Sequence, residues 1–480
     1  MELSFEQRED IGLKYVFDLL EPVSPYGLKR LRGEGFYGPG DREALERELD
    51  NVGLLLTALK RDRDGVEALR HELSCLKDLG GTLTHCEDGP LSEVELFELT
   101  GFCLRMRRLI PMAEALPGYD RLEGIRFAPI EGALEILDPA RSGRLSFFVE
   151  DARSPELLRA RTEKRETEKL LRRPGADREA LTARRLAAVR EEERALVAIH
   201  GEMSAALRPL LPALRQDAEA AGRLDAAIAK ALLSTRCRSC RPEVGGDTLR
   251  LSGAVNPRIA DALEARGRRF TPIDVEMPRG VTVLTGANMG GKSVAIKTIT
   301  LNLCLALLGC YVFCEGAEVP LFDRIELINR DFSNAEGGLS SFGGEILRFN
   351  EALAGMDRGG LSFIAMDEFA RGTNAIEGAA IARGVVRYLA GKNAVTILAT
   401  HYDGTAEFSA RHYQVRGLRE LREKGGEEAP SLPADALRSI ENAMDYGLIP
   451  VAPGAECPRD ALRICRILGM KPEILEEIEA

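Results

Sequence analysis

The chain has 480 residues, a length that corresponds to roughly three domains. Hydrophobic residues make up 45% of it and charged residues 29%, so it has enough apolar material for one or more folded cores. The 65 basic residues are outnumbered by 76 acidic ones, and the formal net charge is −11. This balance argues against a module that wraps nucleic acid through bulk positive charge, while a local basic patch could still bind DNA.

The sequence carries no recognisable export or membrane signal. Its longest apolar stretch, residues 299–313, is broken by Thr300, Asn302 and Gly309, so no segment approaches the roughly 20 apolar residues of a membrane span. Residues 1–10 are too charged for a secretory signal. The ten cysteines are scattered, and without an export signal they should stay reduced. We therefore expect a cytoplasmic protein.

The first part of the chain has the periodicity of helices. Apolar residues recur at three- and four-residue spacing over residues 41–59 and again over residues 91–109. Stretches that contain glycine and proline separate these segments. We therefore predict a helical core over residues 1–153.

Residues 154–207 are dense in Arg, Glu and Leu and are interrupted once, at Arg173-Pro174-Gly175. This pattern predicts two long helices joined by a tight turn, with Asp177 capping the second helix. We assign residues 154–244 to a helical hairpin, the region that the family resemblance described below implies to be a lever or clamp.

The second arm of this hairpin mixes Arg184, Arg185 and Arg190 with the acidic residues 191–193. One interpretation of this arm is a clamp that contacts DNA. Mixed signs instead favour a solvated helical face or an arm that binds a partner.

Cys237 and Cys240 form a C-x-x-C pair at the end of the helical part. A zinc site needs a second pair or histidines at matching spacing, and none follows nearby. We expect two ordinary thiols here, with metal binding as the open alternative.

After about residue 245, short β-type runs alternate with helical stretches. Val281–Thr285, Leu361–Met366 and Val395–Thr400 are apolar, and each is followed by polar residues. This alternation predicts an α/β domain over residues 245–424, with a parallel sheet whose ligand lies at the carboxyl ends of the strands.

The first of these runs leads into the sequence GANMGGKS, which fits the phosphate-binding loop pattern G-x-x-x-x-G-K-[ST]. Glycines let backbone N–H groups face a phosphate, and the helix that follows adds the positive end of its dipole. Lys292 would reach the β- and γ-phosphates of ATP, and Ser293 would hold Mg²⁺. The residues expected to bind the nucleotide are Gly286, Ala287, Asn288, Met289, Gly290, Gly291, Lys292, Ser293 and Val294.

The second β run ends in two acids, Asp367 and Glu368. A buried strand that ends in this way, downstream of a phosphate-binding loop, is the Walker B arrangement. Asp367 would bind Mg²⁺ and Glu368 would orient the attacking water.

His401 follows the third β run, where it could contact the γ-phosphate; the alternative is a surface histidine. Lys292, Glu368 and His401 are therefore the expected catalytic residues.

With these motifs in order, the chain resembles the MutS family of ABC-type ATPases. Thr285–Ser293 looks like the phosphate-binding loop of that family, including its Asn-Met. Ser340–Glu345 (SSFGGE) is similar to the family signature, Met366–Gly378 to its Walker B and D-loop, and Ala399–Gly404 to its switch. The resemblance implies an α/β P-loop ATPase domain of the ABC or MutS type, preceded by mostly helical core, lever and clamp regions. It also implies a helical extension over residues 425–480.

The resemblance further implies how the nucleotide site is completed. ATP and Mg²⁺ would bind at the interface of a head-to-tail homodimer or MutS-like heterodimer, with Ser340 or Ser341 of one subunit completing the site of the other. Phe270 matches an aromatic residue that stacks on adenine in the family. ATP would favour the closed dimer and hydrolysis would release it.

Two departures from the family bear on function. The chain starts almost at the helical core, so we expect no mismatch reader, and it ends too soon after the switch to hold a nuclease domain.

Two hypotheses for the function remain. One is an ATP-gated dimeric clamp that acts on duplex or branched DNA in a mismatch-repair-like or recombination-related role. The other is an ATP-driven reactivase of a cobalamin-dependent aminomutase, because the size and the tail resemble MutS-like proteins linked to lysine 5,6-aminomutase. A purely regulatory role for ATP is disfavoured by the intact Glu368 and His401.

Overall fold

The structure is a computed structural model. It describes residues 3–146, 149–175, 177–286, 291–328, 341–417, 445–457, 465–466 and 469–479. The chain folds into two compact units. One, here named the sheet unit, combines residues 1–21, 34–56 and 229–480; the other, the helical unit, combines residues 22–33 and 57–228. The four-part division drawn from the sequence stays a prediction.

Helices dominate the first half of the chain, where the apolar periodicity predicted them. In chain order they are α1 (Phe5–Asp10), α2 (Leu13–Leu19), α3 (Pro25–Gly33), α4 (Arg42–Arg61), α5 (Arg63–Ser74), α6 (Gly80–Asp88), α7 (Glu93–Glu114), α8 (Glu131–Leu137), α9 (Pro155–Leu171), α10 (Arg178–Leu207), α11 (Leu211–Arg236), α12 (Pro257–Glu264), α13 (Lys292–Leu307), α14 (Ser341–Met356), α15 (Ala375–Leu389) and α16 (Pro472–Glu479). No helix within the described ranges is both long enough and apolar enough to cross a bilayer.

Strands lie in the sheet unit. They are β1 (Glu243–Val244), β2 (Leu249–Ala254), β3 (Ile273–Met277), β4 (Gly280–Thr285), β5 (Gly316–Val319), β6 (Arg324–Ile328), β7 (Ser362–Asp367), β8 (Ala394–Thr400), β9 (Arg411–Gly417) and β10 (Asp445–Pro450). A smaller mixed sheet has the order β1-β5-β2-β3 and a larger one the order β10-β9-β4-β8-β7-β6. In the larger sheet every neighbouring pair is parallel except β10 with β9.

The register of the larger sheet aligns the carboxyl ends of its central strands. Thr285 of β4 lies opposite Thr400 of β8, and Ala399 of β8 lies opposite Asp367 of β7. The segments that follow β4, β7 and β8 therefore all leave the sheet at the side where these three strands end, here named the carboxyl edge. This confirms the parallel sheet predicted from the three apolar runs.

The core of the sheet unit explains why these runs are continuously apolar. Strands β4 and β8 are buried along their whole length, as expected for parallel strands covered on both faces. One face packs against α14 and α15, with Met366, Leu398, Phe349 and Val386 among the contacting side chains. Burial of each such side chain contributes about 1.5–3 kcal/mol to folding, so the strands that carry the site are firmly held.

The predicted hairpin is present in the helical unit. Helix α10 begins with Asp177 as its cap, whose carboxylate accepts a hydrogen bond from the Ala180 N–H at 3.2 Å. Arg184 pairs with Glu163 across the two helices, and Arg185 pairs with Glu168 at 2.8 Å. Two of the three arginines singled out in this arm therefore have acidic partners on the other helix, which favours the interpretation as a charge-balanced hairpin.

The helical prediction for the tail is wrong at Asp445–Pro450. These residues form β10, which pairs antiparallel with β9 at the edge of the larger sheet. The physical reason is tertiary, since the exposed edge of β9 offers backbone partners that a local helix signal does not anticipate. Helix α16 lies within the same predicted segment.

Candidate nucleotide-binding site

The described part of the predicted phosphate-binding loop consists of its two ends. Gly286 follows β4 and Gly291 immediately precedes α13, while Ala287, Asn288, Met289 and Gly290 lie outside the described residues. Gly291 has a φ of +96°, a left-handed conformation that glycine adopts without strain. A Cβ at this position would also lie 2.2 Å from the Tyr446 ring. Both the backbone and the packing therefore require glycine here.

Lys292 lies at the start of α13 with only 4% of its surface exposed. Its ammonium donates a hydrogen bond to the Gly286 carbonyl oxygen at 2.8 Å, and its Nζ atom is 3.9 Å from Oε1 of Glu368. Burial lowers the pKa of Lys292, while the neighbouring carboxylates of Glu368 and Asp367 oppose that shift. The residue thus places a cation beside the end of the loop, where a phosphate would meet it.

Ser293 and Asp367 lie together, as expected of two residues that share a metal ion. Burial raises the pKa of Asp367, and a hydrogen bond from the Ser293 side chain opposes the shift. The Oδ1 atom of Asp367 is buried and has no hydrogen-bond partner among the described residues. Mg²⁺ prefers oxygen ligands, so a hydroxyl beside a carboxylate with an unsatisfied oxygen fits that ion. Val294, the next residue of α13, is half-buried.

Glu368 follows β7 in a strained backbone conformation. Its φ is +53°; a left-handed residue other than glycine costs of order 1–3 kcal/mol and persists only where its surroundings impose it. Its N–H donates to the Ala399 carbonyl oxygen of β8 at 3.1 Å. Its carboxylate also pairs with Arg371 of the following loop. The turn therefore aims the carboxylate towards Lys292 at the carboxyl edge of the sheet.

His401 follows β8 at the same edge. Its Nδ1 atom is buried without a hydrogen-bond partner among the described residues. Burial lowers the pKa of the imidazole, and the cations Lys292 and Arg371 lower it further. Because the shift is downward from 6.5, the ring is neutral at neutral pH and can donate or accept a hydrogen bond without carrying charge.

For three other predicted site residues, the described part of the structure gives no contact with Lys292, Asp367, Glu368 or His401. Ser340 lies outside the described residues, and Ser341 is the first residue of α14. Phe270 is half-buried in the segment before β3. The next residue, Thr271, lies close to Gly447 of β10: a Cβ built on that glycine would be 3.4 Å from the Thr271 side chain. The roles of Phe270, Ser340 and Ser341 remain predictions.

Sequence reasoning missed two residues that the fold brings to the site. Tyr446 of β10 lies against Gly291, and its place in a segment predicted as helix concealed it. The Cys457 N–H donates to Oδ1 of Asp403 at 2.7 Å. Burial raises the pKa of the Cys457 thiol to about 12, and Asp403 reinforces the shift. The thiol is therefore protonated and poorly nucleophilic at neutral pH.

Comparison with known proteins finds matches over the part of the chain that carries this site. Residues 282–466 match the family model of MutS domain V. The DNA mismatch repair protein MutS of Thermus thermophilus is 28% identical over 94% of this chain and 58% of its own length. Endonuclease MutS2 of Caldanaerobacter subterraneus is 28% identical over 60% of this chain and 34% of its own length. The MutS protein of Natronomonas pharaonis is 32% identical over 42% of this chain and 23% of its own length.

In each of these alignments the chain covers less than two thirds of the relative's length. The matched residues include most of the larger sheet and the helices α13, α14 and α15. Together these matches show that the chain is similar to MutS proteins, and that residues 282–466 are similar to MutS domain V.

Proposed function

We propose that this chain binds and hydrolyses ATP with Mg²⁺ and uses the nucleotide to control its grip on DNA. The premise of this proposal is that the chain belongs to the same family as the MutS proteins it matches. One observation carries the ATPase part of the proposal. Lys292, Asp367, Glu368 and His401 come from three different segments and meet at the carboxyl edge of β4, β7 and β8. Ligands of open parallel sheets bind at this edge.

Each residue has a role that its environment supports. Lys292 would neutralise the terminal phosphates, and Ser293 with Asp367 would hold Mg²⁺, which supplies positive charge to the phosphate oxygens. Glu368 would orient and polarise the attacking water. The neutral His401 would donate a hydrogen bond to the γ-phosphate or to that water. Phosphoryl transfer needs little more than such positioning and charge stabilisation.

The proposed active form is a head-to-tail dimer, as the family resemblance implies. Ser340 and Ser341 of one subunit would complete the nucleotide site of the other, in a homodimer or a MutS-like heterodimer. ATP can drive closure only if it binds the closed dimer more tightly than the open one. Hydrolysis would remove the γ-phosphate contacts and return the dimer to the open state.

DNA is the proposed partner because the similar proteins include DNA mismatch repair proteins MutS and an endonuclease MutS2. The net charge of −11 means that DNA would have to be held by local phosphate contacts. Such contacts release counterions, so the affinity should fall steeply as salt is added. The reactivase alternative gains no support from the matches and stays a hypothesis drawn from the sequence.

The test is steady-state ATP hydrolysis by the purified protein at low and moderate salt, with no addition, with duplex DNA and with branched DNA. Stimulation by DNA that fades with salt is the expected result, and the stronger activator identifies the preferred DNA structure. Hydrolysis that is indifferent to both DNAs at both salt concentrations would contradict the DNA proposal. No hydrolysis under any of these conditions would contradict the ATPase proposal.

A further inference from the structure

The turn that carries Glu368 contains two left-handed residues. Glu368 has a φ of +53° and Ala370 a φ of +64°. Neither is glycine, and such conformations persist only where the surroundings impose them. Contacts to Ala370 therefore bear on how the carboxylate of Glu368 is held.

Ala370 is bound on both sides by side chains from other elements. Its N–H donates a hydrogen bond to Oε2 of Glu345 on α14 at 3.1 Å. Its carbonyl oxygen accepts a hydrogen bond from the Tyr402 hydroxyl at 3.2 Å. Glu345 is 3% exposed and Tyr402 is 7% exposed, so water does not compete with either bond.

Close packing keeps these two partners in place. The rings of Phe349 on α14 and Phe369 in the turn have centroids 5.4 Å apart. A Cβ on Gly378 of α15 would lie 2.3 Å from the Tyr402 hydroxyl oxygen, so the absence of that atom lets the tyrosine reach Ala370. Interiors packed in this way transmit small displacements.

Glu345 has no place in the chemistry described above. It is a buried carboxylate on α14, and its Oε2 atom accepts a hydrogen bond from a backbone N–H two residues beyond Glu368. The Glu345 side chain therefore acts on the turn itself, and no role in contacting a nucleotide is needed to explain its burial.

We propose that Glu345 is a positioning residue for ATP hydrolysis: by holding the Ala370 N–H it keeps the left-handed turn that aims the Glu368 carboxylate. This inference rests on the proposed ATPase function. It places a determinant of turnover on α14, the helix that begins within the signature-like segment Ser340–Glu345. Movement of α14 would be passed to the turn that carries Glu368 in the same subunit, through the Glu345–Ala370 hydrogen bond and the Phe349–Phe369 contact.

The experiment compares wild type with Glu345→Ala, Glu345→Gln and Glu345→Asp by steady-state ATPase kinetics and by binding of a fluorescent ATP analogue. A misplacement of about 1 Å can cost roughly 100-fold in rate. We expect kcat of Glu345→Ala to fall by roughly 10- to 100-fold, while KM and the Kd for the analogue stay near wild type. Glu345→Gln should keep most of the activity, because its side-chain carbonyl can still accept the Ala370 N–H.

Further variants separate positioning from general damage to the fold. Glu351→Ala, on an exposed face of the same helix, is the matched control and should keep wild-type kcat. If Glu345→Ala does not fold, Glu345→Asp replaces it, since the shorter carboxylate keeps its charge but cannot reach Ala370 equally well. Tyr402→Phe removes the opposite hydrogen bond and should also lower kcat without changing the Kd.

Two results would overturn the inference. One is wild-type kcat in Glu345→Ala, or in Glu345→Asp if Ala does not fold. The other is a loss in Glu345→Gln as large as the loss in Glu345→Ala, which would assign the effect to charge. Failure of the proposed function looks different, because wild-type protein would then not hydrolyse ATP at all.

Discussion

The Nζ atom of Lys292 lies 3.9 Å from Oε1 of Glu368 and donates a hydrogen bond to the Gly286 carbonyl oxygen at 2.8 Å. The cation thus has a hydrogen-bond acceptor at the end of β4 and a carboxylate at ion-pair distance in the turn after β7. Burial lowers the pKa of Lys292, and the two carboxylates beside it counteract that effect. This pair joins the residue expected to bind phosphate to the residue expected to orient water.

Replacement of Lys292 by alanine tests the phosphate-binding role. A hydrogen bond to a charged group contributes about 1.5–3 kcal/mol, so we expect the Kd for ATP to rise by roughly 10- to 100-fold. The measurement is equilibrium binding of a fluorescent ATP analogue. Lys169→Ala, at an exposed position of α9, is the control. Wild-type affinity in Lys292→Ala would rule out the assignment of the phosphate-binding loop.

Replacement of Glu368 by glutamine should separate binding from turnover. The amide keeps the shape of the side chain but cannot polarise water as a carboxylate does, so kcat should fall by about 10²–10⁴-fold. Affinity for ATP should remain close to wild type. Single-turnover hydrolysis and binding of the analogue provide the two measurements, with Glu351→Gln as the exposed control. Normal turnover in Glu368→Gln would show that the water is oriented by another group.

Complementation tests the shared site of the proposed dimer. Lys292→Ala subunits and Ser340→Ala/Ser341→Ala subunits should each have little activity alone. A mixed dimer would contain one intact site, made from the Lys292 of one subunit and the serines of the other. ATPase activity should therefore reappear on mixing, in an assay over a range of subunit ratios. Additive, unrestored activities would speak against sharing of the site between subunits.

A buried ion pair predicts a stability effect away from the site. Lys230 and Glu34 are 2.9 Å apart with 1% and 4% of their side chains exposed, and the Lys230 ammonium also donates to the Leu308 carbonyl oxygen at 2.9 Å. Burial alone would lower the pKa of Lys230, but Glu34 holds it above its usual value.

Lys230→Met should destabilise the protein by about 3–5 kcal/mol, because it removes one charge of a buried ion pair. The double variant Lys230→Met/Glu34→Gln should recover part of this loss, and urea denaturation gives the comparison. Lys169→Met, at an exposed site, should have little effect. A single variant as stable as wild type would mean that Glu34 is not held as a buried charge.

Asp217 of α11 predicts a pH dependence in the helical unit. Its Oδ1 accepts a hydrogen bond from the Ala128 N–H at 2.7 Å, while Oδ2 is buried without a hydrogen-bond partner among the described residues. Burial raises the pKa of this carboxyl from 3.8 to about 6. Compared with the unfolded chain, the folded state therefore favours the protonated carboxyl. The free energy of unfolding should decrease as the pH rises from 3.8 to about 6.

Asp217→Asn should consequently be more stable than wild type above about pH 6, and the difference should shrink as the pH falls towards the unfolded-state pKa of about 4. Asparagine can still accept the Ala128 hydrogen bond but carries no charge. Thermal unfolding at several pH values measures the effect, with the exposed Asp88→Asn as control. An advantage for Asp217→Asn that is independent of pH would show that the carboxyl does not titrate in this range.

The local sequence alone predicted three central strands of the larger sheet and the position of a glycine-rich loop after the first of them. Continuous apolar runs predicted β4, β7 and β8, because parallel strands buried on both faces need no polar alternation. The glycine-rich pattern before Lys292 predicted a tight loop leading into a helix, and Gly291, left-handed at the start of α13, stands where that conformation would strain other residues. These signals lie within a few residues of the feature that they specify, so they can be read without the fold.

The tertiary structure decided the contacts between distant segments. The sequence pattern around Asp445–Pro450 predicted helix, yet the free edge of β9 made it a strand and brought Tyr446 to Gly291. Glu345 meets Ala370 across 25 positions and Lys230 meets Glu34 across 196. Such pairs depend on how elements pack after they form. The partner of such a buried carboxylate can therefore be identified only from the folded structure, in which the two chain segments lie side by side.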